Sequence, residues 1–271
     1  MKLCFDAYGQ VYLEAKEANG EPDYWKSKLA FGVSEAQKQG ERRKEKIWEI
    51  KPWGQWVKVD LAGKRIYFPE NASSQELCYA LRVMIDTIQL LEKRLPFHAA
   101  GIGYRNHCAL IFADSGQGKS YLAHLLCGSD QHCRIIGDDH IYLLPGRIQG
   151  NGMCRLRDEK GTTAEYIKNE GVSIAENIVG ICFSKAEENA AYEIPHSQWY
   201  EWLAHSDALK YAGSPFRMQG REYRAGELFG CDIEGLYQRA LKDGAVQKLF
   251  LVKGTHDYAV DSIRKYMQDT F

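Results

Sequence analysis

The chain has 271 residues, 45% of them hydrophobic, and its 35 basic and 36 acidic side chains leave a net charge of −1. That length supports a well-buried core, and the balanced charge excludes the broad positive field that collects nucleic acid or anionic membrane. Eight cysteines without paired Cys-x-x-Cys spacing read as a reduced, cytosolic set. Cys127, His132 and Cys133 lie close together, but no second pair accompanies them, which argues against zinc. No run of about 18 apolar residues occurs, and the opening Met-Lys-Leu-Cys-Phe-Asp turns charged too early for a signal peptide. The expectation is a cytoplasmic protein whose partners are small or peptide ligands, with no nucleic acid and no membrane.

Residues 1–72 read as a small aromatic-rich β unit and 73–271 as the main domain. Val57, Val59 and Leu61 alternate with Lys58 and Asp60, and Ile66 to Phe68 follow Ala62-Gly63, which predicts a hairpin. The charge-dense stretch 35–51, with Arg42, Arg43, Lys44 and Lys46, reads as a solvated loop or helix face rather than a contact for an acidic partner. Trp25, Trp48, Trp53 and Trp56 form either a local core or a groove for an extended peptide, core being the simpler expectation. Ser73 and Glu76 make a capping box, and Leu77, Leu81, Met84, Ile88 and Leu91 repeat at helical spacing before Pro96, so this helix is core.

After a short strand-like segment, 97–104, and a turn at Asn106 and His107, the apolar run 108–112 enters Ala-Asp-Ser-Gly-Gln-Gly-Lys-Ser at 113–120. This reads as a phosphate-binding P-loop. Gly116 and Gly118 let backbone N–H groups converge on an anion, Lys119 reaches the β and γ phosphates, Ser120 suits Mg²⁺, and the following helix points its positive end at the same place. The nucleotide-binding set is therefore Asp114, Ser115, Gly116, Gln117, Gly118, Lys119, Ser120 and Tyr121. Ala113 stands where the usual first glycine would be. Downstream, Ile135-Ile136-Gly137-Asp138-Asp139 matches a Walker B strand, whose acidic tip lies beside metal and γ-phosphate. Residues 146–161 read as a long loop over the active face. Strands follow at 178–183 and 247–252, with helices at 198–209 and 258–267.

Together these motifs resemble the HPr kinase/phosphorylase superfamily of P-loop serine kinases, which shares its core with phosphoenolpyruvate carboxykinases. The family's Gly-Asp-Ser-Gly-x-Gly-Lys-Ser loop differs here only at Ala113. Its histidine-small dipeptide matches His98-Ala99, fifteen residues before Ala113, and its Asp-Asp motif matches Asp138-Asp139. The resemblance covers about residues 97–140. It implies an α/β fold with a P-loop HPr kinase/PEP carboxykinase-like catalytic core behind the small β-rich unit, and ATP with Mg²⁺ as the nucleotide and metal. The family's Glu-x-Arg-Gly segment is missing, since Arg157-Asp158-Glu159-Lys160-Gly161 matches it poorly, and so is its long N-terminal domain. HPr is therefore a poor acceptor. The organisation is more similar to the short HPr-kinase-like enzymes that phosphorylate a serine of lasso precursor peptides; Pro215-Phe216-Arg217-Met218 loosely resembles their Pro-x-x-Arg segment.

The roles implied are Asp138 as the base for the serine proton, Asp139 with Ser120 at the metal, and His98 tuning the base, favouring the ionised carboxylate when protonated. Arg217 is the arginine chosen to offset transition-state charge. A small-molecule hydroxyl kinase and a non-catalytic, nucleotide-responsive binding module stay open as alternatives, and so does a homo-oligomer.

Overall fold

The computed structural model describes residues 3–7, 11–15, 32–35, 47–128, 130–150, 155–157, 163–166 and 172–270, and the fold is mixed α/β. Packing divides the chain into two units, Met1–Lys93 with Tyr211–Glu234, and Arg94–Lys210 with Gly235–Phe271. The sequence reading cuts once at residue 72. The structure instead groups the capped helix and a returning segment with the N-terminal sheet.

In the first unit, strands β1 (Leu3–Ala7), β2 (Val11–Ala15), β3 (Gly32–Glu35), β4 (Ile47–Pro52), β5 (Lys58–Asp60) and β6 (Arg65–Phe68) form one sheet in the order β3-β1-β2-β4-β6-β5. The expected hairpin is β5–β6, with Val59 opposite Ile66. Strand β4 occupies the end of the stretch read as loop or helix face. Its buried Trp48 and Ile50 alternate with half-buried Glu49 and Lys51, a period of two that the surrounding charge hid. Residues 36–46 and Trp25 lie outside the described residues.

The tryptophans divide. Trp48 is core and meets Phe229 at 5.8 Å between ring centroids, whereas Trp53 and Trp56 are 56% and 53% exposed, carrying Lys58 and Arg221 over their rings.

Helix α1 (Ser74–Leu91) begins with the capping box read from sequence. The Ser73 hydroxyl accepts the Glu76 N–H at 3.3 Å while Glu76 accepts the Ser73 N–H at 2.9 Å, an arrangement worth about 1 kcal/mol. Its buried Leu81, Met84, Ile85 and Ile88 share a core with Ile66 and Phe68, and with Phe216, Met218 and Phe229. These last come from the hairpin Pro215–Met218/Arg221–Arg224 and the helix Ala225–Phe229. The apolar stripe of α1 is thus covered partly by chain more than a hundred residues away, which no local pattern announces.

In the second unit, β7 (Leu95–Phe97) leads into β8 (Ala100–Tyr104) and β9 (His107–Phe112); helix α2 (Lys119–Gly128) and β10 (Cys133–Gly137) follow. Strands β11 (Ile141–Leu144), β12 (Arg147–Gly150) and β13 (Val172–Ile174) form with β7 an antiparallel sheet ordered β13-β12-β11-β7. The segment 146–161 is accordingly part strand, Arg147–Gly150 and Arg155–Arg157, while 158–162 lie outside the described residues.

The other sheet runs β10-β8-β9-β14-β16-β15, with β14 (Asn177–Lys185), β15 (Ala190–Glu193) and β16 (Lys248–Gly254). Strands β9, β14 and β16 are parallel, and β8 runs antiparallel between β9 and β10. The last helix is α3 (His256–Thr270), and the expected helix at 198–209 is the shorter Trp199–His205. Among the described residues no helix is long and apolar enough to cross a membrane.

Candidate functional site

Sheet direction places the motifs. Because β8 is antiparallel to both β9 and β10, the carboxyl ends of β9 and β10 and the entry to β8 all lie at one edge of the sheet. The glycine-rich loop 113–120 leaves β9 there, Asp138 and Asp139 leave β10 there, and His98 stands just before β8. The carboxyl end of strands is where open α/β sheets hold ligands.

The glycines of the loop 113–120 take the left-handed backbone that only glycine adopts freely. Gly116 and Gly118 have φ of +86° and +90°, and Asp114, Ser115 and Gly116 are exposed at the rim. Ala113 is fully buried and is not among the residues of positive φ, so the backbone there tolerates a Cβ. Two braces that the sequence did not announce hold the loop. The Gln117 side-chain oxygen accepts the Lys185 N–H at the end of β14 at 3.1 Å, and the Gln117 carbonyl accepts from His256 Nε2, at the start of α3, at 3.2 Å.

The His256 ring lies edge-on to exposed Tyr121 and against Phe183, so close that a Cβ on Gly118 would come within 2.5 Å of Nε2. Gly118→Ala is therefore expected to lower stability by about 1–3 kcal/mol, read as a fall in Tm. In a His256→Ala background the cost should shrink without vanishing, because the left-handed φ remains.

Lys119 opens α2 and is 8% exposed. Its ammonium lies 3.2 Å from His98 Nε2 and 3.5 Å from Asp139 Oδ1. His98 is oriented by a turn, its N–H donating to the Ala208 carbonyl at 2.8 Å and its Nδ1 to the Asp207 carbonyl at 3.3 Å. Those partners fit one neutral tautomer, with the proton on Nδ1 and Nε2 accepting from Lys119.

The neighbouring aspartates part company because Asp139 has φ of +70°, a left-handed conformation that aspartate tolerates better than most residues. Asp138, 4% exposed, accepts the Ser120 hydroxyl at 2.6 Å with one oxygen and the Asp139 N–H at 3.0 Å with the other. Asp139, its side chain 32% exposed, faces Lys119 and stands 3.4 Å from His98 Nε2.

The electrostatics follow. Burial lowers the His98 pKa and Lys119 adds to that, outweighing the opposing influence of Asp139. The histidine is thus held neutral, unlike the protonated form that the sequence reading gave a tuning role. For Asp139, burial pushes the pKa up, but the neighbouring His98 imidazole and the charge of Lys119 outweigh it and hold the carboxyl well below the usual range.

Both shifts make acid destabilising. The unfolded chain protonates this histidine below about pH 6.5 and the folded chain resists until its lower pKa is reached, so stability is full above 6.5 and falls as pH drops from there. The Asp139 contribution is present above about pH 4 and is lost as pH falls below it. His98→Gln is expected to flatten the decline of Tm between about pH 6.5 and 4.5; an unchanged profile there would leave His98 without this role.

Tyr121 follows Ser120 at the exposed loop rim. Arg217 belongs to the first unit, on the strand Pro215–Met218, where its side chain is largely exposed and 3.8 Å from Glu222. Among the described residues, no group of three or more His, Cys, Asp or Glu side chains is placed to hold a metal ion by itself. No protein-family model matches the chain, and no curated protein shows significant similarity to it.

Proposed function

We propose that the chain is an ATP-dependent phosphotransferase that moves the γ-phosphate to a serine-type hydroxyl, carried on a peptide such as a lasso precursor. The supporting observation is the meeting of the Gly-Lys-Ser loop with the Asp-Asp pair, where Ser120 donates to Asp138 at 2.6 Å and Lys119 reaches Asp139 and His98. A loop whose residues 114–116 are exposed at the positive end of a ten-residue helix suits a polyphosphate. Ser120 Oγ and Asp138 are hard oxygen donors that fit Mg²⁺ shared with phosphates and water, and that ion would supply neutralising charge at the phosphate oxygens.

The contacts favour an exchange of the roles expected from sequence. Both oxygens of Asp138 are engaged, one by Ser120, which suits the metal side. Asp139 is a third exposed and is the better placed to accept the hydroxyl proton. With Lys119 and His98 against it, its carboxylate is a weak base. Once Lys119 turns to the β and γ phosphates, the nearest cation is drawn away and basicity rises. His98, neutral and fixed by the 207–208 turn, holds Lys119 until then.

The peptide acceptor rests on the resemblance to the tailoring kinases, and the site chemistry is common to peptide and small-molecule hydroxyls. Incubation with γ-labelled ATP, a serine peptide and free serine separates the readings. Label on the peptide supports the proposal, label on free serine alone makes the chain a metabolite kinase, and nucleotide binding with no transfer makes it a binding module.

A further inference from the structure

The far ends of the two elements that carry the candidate site meet in a pair of thiols. Cys127 lies in the last turn of α2 and Cys133 opens β10, and their sulfurs are 2.8 Å apart. The backbone keeps them there. Cys133 N–H donates to the Asp130 carbonyl at 3.0 Å, His132 N–H to the Asp130 carboxylate at 2.8 Å, and Arg105 N–H to the His132 carbonyl at 3.3 Å. A disulfide needs sulfurs at about 2.05 Å, so bonding closes a gap of under about 1 Å.

We propose that Cys127 and Cys133 are a reversible disulfide site that responds to the thiol–disulfide poise. Cys127 is half-buried and reachable by a small disulfide of the glutathione class, while Cys133, 9% exposed, is placed to resolve the product. In the first step the Cys127 thiolate attacks the small disulfide, forming a mixed disulfide and expelling one small thiolate. In the second, the Cys133 thiolate attacks Cys127 Sγ, forms the internal bond and expels the other. One small disulfide is reduced to two small thiols, and the two protein thiols are oxidised, each losing its proton.

Three other cysteines differ in kind. Cys78, Cys108 and Cys182 are buried, and burial pushes the Cys182 thiol up to about 12, which suppresses its thiolate. The bond would tie the helix bearing Lys119 and Ser120 to the strand leading to Asp138 and Asp139. The proposal does not depend on the kinase reading.

The test is to equilibrate the full chain in glutathione buffers from reducing to oxidising, quench with acid, alkylate, digest and map cysteines by mass spectrometry. A bridged Cys127–Cys133 peptide should accumulate with oxidation and vanish on treatment with dithiothreitol. In Cys133→Ser, which lacks the resolving thiol, Cys127 should instead keep the glutathione mixed disulfide. Thiols that stay alkylated across the whole series, or a lasting mixed disulfide at Cys127 in the unaltered chain, would overturn the assignment.

Discussion

Asp139→Asn is expected to cut phosphoryl transfer by about 10²–10⁴-fold while Mg-ATP binding persists, the size of effect expected when a positioned general base is removed. The substitution keeps the shape and takes away the capacity to accept a proton, together with the charge that faces Lys119. Asp138→Asn separates the two aspartates. Because Asp138 takes the Ser120 hydroxyl and is buried, its loss should show first as weaker magnesium dependence of nucleotide binding. Transfer kinetics beside calorimetric binding for both variants checks the division. If Asp138→Asn alone abolishes transfer with binding intact, the roles revert to those expected from sequence.

Lys119→Met should remove the nucleotide response. At a nucleotide concentration about 100-fold above its Kd, a site of this kind gains about 2.7 kcal/mol, visible as a rise in Tm, and the variant should gain almost nothing. In the proposed function Lys119 trades Asp139 and His98 for the phosphates, and the methionine keeps its buried stem without its charge. Without nucleotide the variant should lose little stability, since Asp139 is a third exposed and water screens the lost pair. A full thermal shift retained in Lys119→Met would separate this loop from nucleotide binding.

What could be read in the sequence was local. Gly116 and Gly118 sit where a loop needs positive φ, the capping box of Ser73 and Glu76 fixes where α1 begins, and the apolar runs into 113–120 and into Asp138 are strands. The cluster of His98, Lys119, Ser120, Asp138 and Asp139 was legible because a strand–loop–helix unit and its neighbours carry all five within about forty residues.

The parts that were hidden depend on distance or on backbone. His256 and Lys185 reach the loop only because β14 lies beside β9 and β16 beside β14, an order no pairwise spacing encodes. The contrary orientations of Asp138 and Asp139 hang on one left-handed residue. Trp48 and Ile50 were masked by charged neighbours, and the return of Phe216, Met218 and Phe229 to the first core carries no sequence mark.

The most direct measurement of the central claim is phosphopeptide mapping after incubation with Mg-ATP and peptides bearing an accessible serine. The account predicts phosphoserine on the peptide, absent with Lys119→Met and nearly absent with Asp139→Asn. Nucleotide bound by the unaltered chain with no phosphate on any hydroxyl would contradict it.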